Sequence, residues 1–177
     1  IPDWFTGVRS FGAILPRFAE GCRRVTEYAA AKGIKTCSEN HGRFVQDSDR
    51  IVALVEAVGN TNYGALCDIG NFLCADDNPA VAVGKVAPFT YHVHAKDFLV
   101  KSGMQPDPGA GWFMSRGGNY LRGTIIGHGE VPVAQAIKTL ERASYQGYVT
   151  VEFEGLEKTI EAIEIGAQNL KRYIETK

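Results

Sequence analysis

Four short apolar runs in this chain close on a residue able to bind a metal ion, and this repetition limits the fold more than any single motif does. The runs are Ile34-Lys-Thr-Cys-Ser-Glu39, Tyr63-Gly-Ala-Leu-Cys-Asp68, Thr90-Tyr-His-Val-His-Ala-Lys96 with His94 near its end, and Gly147-Tyr-Val-Thr-Val-Glu152. Helical patterns lie between them. A regular strand, helix, strand succession is the mark of parallel βα units, in which functional residues sit at the C-terminal ends of the strands.

The third run carries the densest chemistry. Alternation along a strand puts His92, His94 and Lys96 on one face. A lone histidine is usually a hydrogen-bonded core residue, but this one comes with Glu39, Asp68 and Glu152 from the other strand ends. Carboxylate oxygens plus one imidazole suit a hard or borderline divalent cation: manganese, magnesium, cobalt or zinc.

Composition limits what can hold such a set. With 177 residues, 45% of them hydrophobic, and a formal net charge of -1, the chain has material for one soluble core. No basic excess marks a nucleic-acid partner, and no apolar run approaches a membrane span. The cysteines, Cys22, Cys37, Cys67 and Cys74, have no CxxC spacing and read as buried thiols of a reducing compartment, which points to the cytoplasm. The chain opens Ile1-Pro-Asp-Trp rather than with Met, as a fragment or processed chain does, so the lack of a signal peptide carries little weight.

In chain order, Thr6 to Gly12 reads as a short β-like stretch punctuated by glycine. Phe18, Cys22, Val25 and Ala29 mark an amphipathic helix from about Leu15 to Lys32, stopped by Gly33. After the polar loop Asn40 to Phe44, Asp47 or Ser48 caps a helix with Ile51, Leu54, Val55 and Val58 inward. Asn78-Pro79 opens a helical segment through Val81, Val83 and Val86 that Pro88 halts. Phe98 to Glu130 breaks the rhythm with roughly thirty residues rich in Gly, Pro and polar groups, the length of a functional loop. With Trp112, Phe113, Arg116, Tyr120, Arg122 and His128 it reads as a lid over the strand ends that binds a polyhydroxylated or anionic ligand. Pro132 opens a helix with Val133, Ala136, Ile137 and Leu140 inward, and Leu156 to Ile174 form the last helix.

Taken together, Ser38-Glu-Asn-His-Gly42, Asp68-Ile-Gly-Asn71, His92-Val-His-Ala-Lys-Asp97, the Gly127-His-Gly129 turn and Gly147-Tyr-Val-Thr-Val-Glu152 resemble the C-terminal part of the sugar phosphate isomerase/epimerase family, the xylose isomerase-like TIM barrels. The resemblance runs from about Val8 onward. It implies a single α/β domain over residues 1–177, the C-terminal half of a (β/α)8 barrel, with strands five to eight and the end of strand four. A whole barrel takes about 250 residues. A half-barrel exposes two sheet edges, which favours association and leaves a homo-oligomer open.

The resemblance also implies Glu39, Asp68, His94 and Glu152 as ligands of one divalent ion, manganese first, with Glu39 and Glu152 as the catalytic pair. His41, Asn71, Lys96, Arg122 and His128 are candidates for contacting the substrate. The expected partner is a small sugar, with no nucleic acid and no membrane.

Departures from relatives narrow this. Ketose 3-epimerases have a His three residues after the aspartate ligand and an Arg six after the histidine, where this chain has Asn71 and Val100. The endonuclease IV branch needs that His and a later Asp-x-His, and neither is present. The Lys96-Asp97 pair resembles what inosose dehydratases and many undefined isomerase-like members carry.

A divalent ion polarising a keto-sugar carbonyl acidifies the neighbouring C–H. Glu39 and Glu152, on strands roughly 135° apart around such a barrel, face the sugar from different sides. Return of the proton to the same carbon makes an epimerase, to the next carbon an isomerase, and loss of a β-hydroxyl a dehydratase. The expectation is an isomerase or epimerase working through an enediolate, with a lyase and a non-catalytic sugar-binding barrel as rivals.

Overall fold

The computed structural model describes residues 10–176. Helix α1, Phe11–Ala30, is capped by Ser10, whose hydroxyl accepts from Ala13 N. Of the β-like stretch expected over Thr6 to Gly12, residues 6–9 lie outside the described residues, and the remainder caps and opens α1. The inward face of α1 also differs from expectation. Val25 is 61% exposed, while Thr26 is buried and shares a hydrogen bond with Thr36. Steps of four from Phe18 reach Cys22 and Thr26, and Val25 falls about 100° away from that row.

Strand β1, Thr36–Glu39, is followed by a single helical turn, α2, Gly42–Val45, and by α3, Ser48–Val58. Asp47 caps α3, accepting from Arg50 N, and Gly59 ends it in the left-handed region. Strand β2, Tyr63–Asp68, runs into a 3₁₀ turn over Asn71–Ala75, and α4, Pro79–Val86, starts from an Asn78 cap. Val81 points outward, and Ala82 takes the inner place expected of it.

Strands β3, Thr90–Ala95, and β4, Asp97–Lys101, are separated by Lys96 alone. Short strands β5, Phe113–Met114, and β6, Tyr120–Thr124, follow. The chain ends in α5, Val133–Arg142, β7, Val149–Val151, and α6, Thr159–Glu175, the last starting three residues later than its periodicity suggests.

The main sheet is parallel, in the order β1-β2-β3-β7. Its helix-covered face holds Ala65, Cys67, Val93 and Ala95, all fully buried against Leu54, Val58, Val83, Val86 and Ala136. Each large aliphatic side chain so covered contributes about 1.5–3 kcal/mol. The other face is open, with Cys37 and Thr150 exposed and His92 half-buried. Among the described residues β1 and β7 each pair on one side only.

The segment from Phe98 to Glu130 is not an irregular loop. It forms a second, antiparallel sheet in the order β4-β6-β5. Two aspartates fasten it. Asp97 accepts hydrogen bonds from the backbone N–H groups of Phe98, Gly127, Gly129 and Val131. Asp76 accepts from Ser115 Oγ, Asn119 Nδ2 and Gly117 N. Gly123 lets β6 come close to the chain leaving β7, since a Cβ there would sit 2.4 Å from Glu154 O. No described helix is long and apolar enough to cross a membrane.

Candidate metal centre

Parallel pairing brings the four strand ends together. Asp68 lies beside His94 and His94 beside Thr150 in the sheet register, while Glu152 follows β7 at once and donates its N–H to Ala95 O. One ligand atom from each of Glu39, Asp68, His94 and Glu152 falls within 4.8 Å of every other. From His94 Nδ1 the distances are 2.9 Å to Glu152 Oε2, 3.8 Å to Glu39 Oε1 and 3.9 Å to Asp68 Oδ2. A cation with bonds of about 2.0–2.3 Å closes such a set with small adjustments.

Asp68 decides whether these residues fit a cation. Its side chain is fully buried. Oδ1 accepts from the N–H groups of Gly70 and Asn71, but Oδ2 has no hydrogen-bond partner. Lys96 Nζ stands 3.7 Å from Oδ2, beyond hydrogen-bond distance, and a buried carboxylate oxygen with no hydrogen bond is costly unless a proton or a cation neutralises it. Burial pushes the Asp68 pKa well above its ordinary value, and Lys96 only partly opposes this. Burial would also raise Glu152, yet the adjoining Asp68 carboxyl, Lys96 and His94 hold it down at about 2. Without a cation, the two carboxyls divide proton and charge between them. A cation at the common point would remove the need for the proton. The donor set of three carboxylates and one imidazole therefore fits a divalent ion, toward which His94 would offer Nδ1.

A second layer of side chains fixes the first. Asn71 donates to Glu39 Oε1 at 3.1 Å. Lys96 is 1% exposed, and its Nζ reaches Glu152 Oε1 at 3.1 Å, Glu154 Oε2 at 3.0 Å and Asn71 Oδ1 at 3.4 Å. Those contacts use all three ammonium donors. Burial would lower the Lys96 pKa, but Asp68, Glu154 and Glu152 hold it above the usual lysine range, so it stays charged. Gly70 makes this packing feasible, because a Cβ there would lie 2.9 Å from Lys96 O.

Of the other candidates, His41 and Asn71 line a cleft of about 540 Å³ beside the cluster. Arg122 instead faces Glu157 at 3.5 Å and the Trp112 ring at 5.7 Å. His128 is exposed on the turn that Asp97 holds, and the structure does not bring it to the cluster. The cleft is lined by Phe98 and Phe113 of the antiparallel sheet, by Arg116, by Asn71 and Cys74 of the turn after β2, and by Glu154 beyond β7. The antiparallel sheet thus flanks the site, with its near end tied down by Asp76 and by the Arg116–Asp47 ion pair of 2.7 Å.

Sequence reasoning missed two residues here. Glu154 lines the cleft and pairs with Lys96, and its signal was present, since Glu152 and Glu154 alternate along an extended chain. Asn40 is fully buried and exchanges hydrogen bonds with Asp68 N and O, locking β1 to β2 just behind the cluster. Nothing in a polar loop distinguished it.

A protein-family model described as "Xylose isomerase-like TIM barrel" matches residues 4–173. An inosose dehydratase of Clostridium beijerinckii is 27% identical over 139 residues, covering 77% of this chain and 46% of that protein. The chain spans about half the length of the curated relatives it matches. Among solved structures, a xylose isomerase-like TIM barrel protein from Mycobacterium smegmatis in complex with magnesium superposes with a TM-score of 0.71 at 20% identity, over 92% of this chain and 51% of that one. A D-psicose 3-epimerase with D-tagatose from Clostridium cellulolyticum H10 also gives 0.71, at 16% identity, over 97% and 60%. At these identities the structural likenesses show the fold.

Proposed function

The chain belongs to the xylose isomerase-like TIM barrel family, and from that premise we propose that it supplies the ligand-bearing strands, five to eight, of a metal-dependent sugar isomerase or epimerase. The observation that carries this reading is the convergence of Glu39, Asp68, His94 and Glu152 around an Asp68 oxygen that has no hydrogen bond. These four residues would hold one divalent ion, with manganese the first expectation. When bound, such an ion supplies Lewis-acid polarisation of the substrate carbonyl.

The chain's own residues supply the proton chemistry. Glu39 ends one outer strand of the sheet and Glu152 follows the other, so they face a bound sugar from opposite sides. Asn71 holds Glu39 by Oε1 and leaves Oε2 open to take a proton from the carbon next to the carbonyl. For epimerisation Glu152, a carboxylate fixed by Lys96 through Oε1, first takes a proton from solvent and delivers it to the other side of the enediolate, while Glu39 passes its proton back to solvent. For isomerisation Glu39 returns its own proton to the neighbouring carbon. The persistent charge of Lys96 suits it to steady that carboxylate rather than to serve as the base.

A lyase is the second reading, favoured by the similarity to inosose dehydratases. In it the same enediolate expels a β-hydroxyl. One experiment tests both readings: solvent-deuterium incorporation into a panel of keto sugars and inososes by the metal-loaded protein, with water loss followed in parallel. Deuterated substrate or isomer without dehydration is expected. Dehydrated product selects the lyase, and neither exchange nor dehydration removes the enediolate reading.

A further inference from the structure

Asn40 directly follows one member of the cluster, Glu39, and spends its side chain on another, Asp68. The ladder between β1 and β2 ends with Glu39 beside Leu66, and β2 runs on for two residues to Asp68. Two residues of strand advance about 6–7 Å, so the two carboxylates leave their strands at different heights. Past Glu39 the chain turns away, with His41 N–H donating to Glu39 O at 2.8 Å. A strand that outruns its neighbour in this way leaves backbone groups that need other partners when buried. Asn40 serves both groups of Asp68: Oδ1 accepts from Asp68 N at 2.7 Å, and Nδ2 donates to Asp68 O at 2.9 Å. Asn40 N–H also donates to Leu66 O at 3.3 Å, and the residue is fully buried. Asp68 Oδ1 is taken by the N–H groups of Gly70 and Asn71. Of the four polar atoms of Asp68 only Oδ2 has no hydrogen bond, and it stands 3.9 Å from His94 Nδ1.

From this geometry we infer that Asn40 is a positioning residue for the metal centre, setting the offset between Glu39 and Asp68 and through it the affinity for a divalent ion; the inference rests on the metal-dependent reading above. A side chain that only completed a ladder would stabilise the fold and leave the affinity of the folded site alone. Here the clamped residue is itself a candidate ligand, and so is the residue before the clamp. Movement of the Asn40 amide therefore shifts one carboxylate against the other, in a constellation that works only when held to about 0.5 Å. The rest of Asp68 is fixed by the turn at Gly70 and Asn71, so the Asn40 clamp is what ties that turn to the end of β1.

The test is manganese binding to the full-length protein by titration calorimetry, with the electron paramagnetic resonance spectrum of the bound ion and the metal-free denaturation midpoint measured in parallel. Asn40→Ala should weaken manganese binding about 10–100-fold and change that spectrum. Asn40→Ser, which keeps one hydroxyl for one of the two backbone groups, guards against an alanine variant that does not fold and should weaken binding about tenfold. Leu140→Ala, a truncation of a buried side chain in α5, is the control. It should lower the midpoint at least as much as Asn40→Ala, with manganese affinity unchanged within about twofold. Because Asn40 acts through Asp68, adding Asn40→Ala to Asp68→Asn should cost less than about threefold more. Unchanged affinity in the Asn40 variants, an equal loss of affinity in Leu140→Ala, or full additivity with Asp68→Asn overturns the inference and leaves the metal centre standing. A wild type that binds no manganese overturns both.

Discussion

Two aspartates in this chain are almost wholly buried, Asp68 at 0% and Asp97 at 1% exposure, and they are satisfied in opposite ways. Asp97 shares four backbone N–H groups between its two oxygens. Asp68 has two N–H groups on one oxygen and no hydrogen bond on the other, which has the Lys96 ammonium at 3.7 Å and His94 Nδ1 at 3.9 Å. A buried carboxylate whose every lone pair is used belongs to the architecture. One with an oxygen that has no hydrogen bond, within 4.8 Å of three other ligand atoms, suits a site that binds a cation. Burial raises both pKa values, and at Asp97 the backbone donors oppose that rise.

The largest expected effect lies on the chemical side of this comparison. Glu39→Gln and Glu152→Gln should each lower solvent-proton exchange by about 10²–10⁴-fold, and excess manganese should not restore it. Recovery of exchange in both variants would place the base elsewhere.

Next is Asp97→Asn, which turns an amide donor toward backbone donors and should cost about 3 kcal/mol in chemical denaturation. A loss under about 1 kcal/mol would mean that the 125–131 turn is held by other contacts. The same substitution at Asp68 should behave differently. It should cut manganese affinity on the order of 100-fold, be partly rescued for exchange by excess metal, and change metal-free stability by no more than about 1 kcal/mol. If the two Asp→Asn variants behave alike, the comparison fails.

The smallest effect is on pH dependence. The folded pKa of Asp68 lies above its ordinary 3.8, so the folded metal-free protein keeps a proton that the unfolded chain releases. That stability is complete below 3.8 and is lost as pH rises through the raised value. Glu152 acts in the opposite sense: its contribution is present above 4.5 and is lost as pH falls through about 2. Melting temperature of the metal-free wild type should therefore fall, relative to Asp68→Asn, as pH rises from about 4, and saturating manganese should abolish the slope. A flat metal-free profile would count against a protonated Asp68.

Much of the parallel half was legible from residue order. The inward rows of α3 and α5 followed their 3.6-residue period, and Asp47 and Asn78 capped where short polar side chains precede apolar periods. The misplaced Val25 and Val81 are valines one step off a buried row that Thr26 and Ala82 occupy, and hydrophobicity alone favours the valine. The β4-β6-β5 sheet escaped because its strands are short and carry Gly and Arg within them, and their pairing is non-local: Lys101 lies beside Tyr120.

By itself, the sequence determined which side chains end the strands and in what order the parallel units run, because local periodicity and chain direction suffice for both. Only the tertiary structure decided that Asp68 keeps an oxygen without a hydrogen bond and Asp97 none, that Lys96 spends its donors on Glu152, Glu154 and Asn71, and that Phe113 and Asn71 line one cleft. Each of these depends on strand register and on contacts between distant segments, such as the 58-residue separation of His94 and Glu152. A residue's type states what it can bind, and the packed fold states which of those bonds are already made.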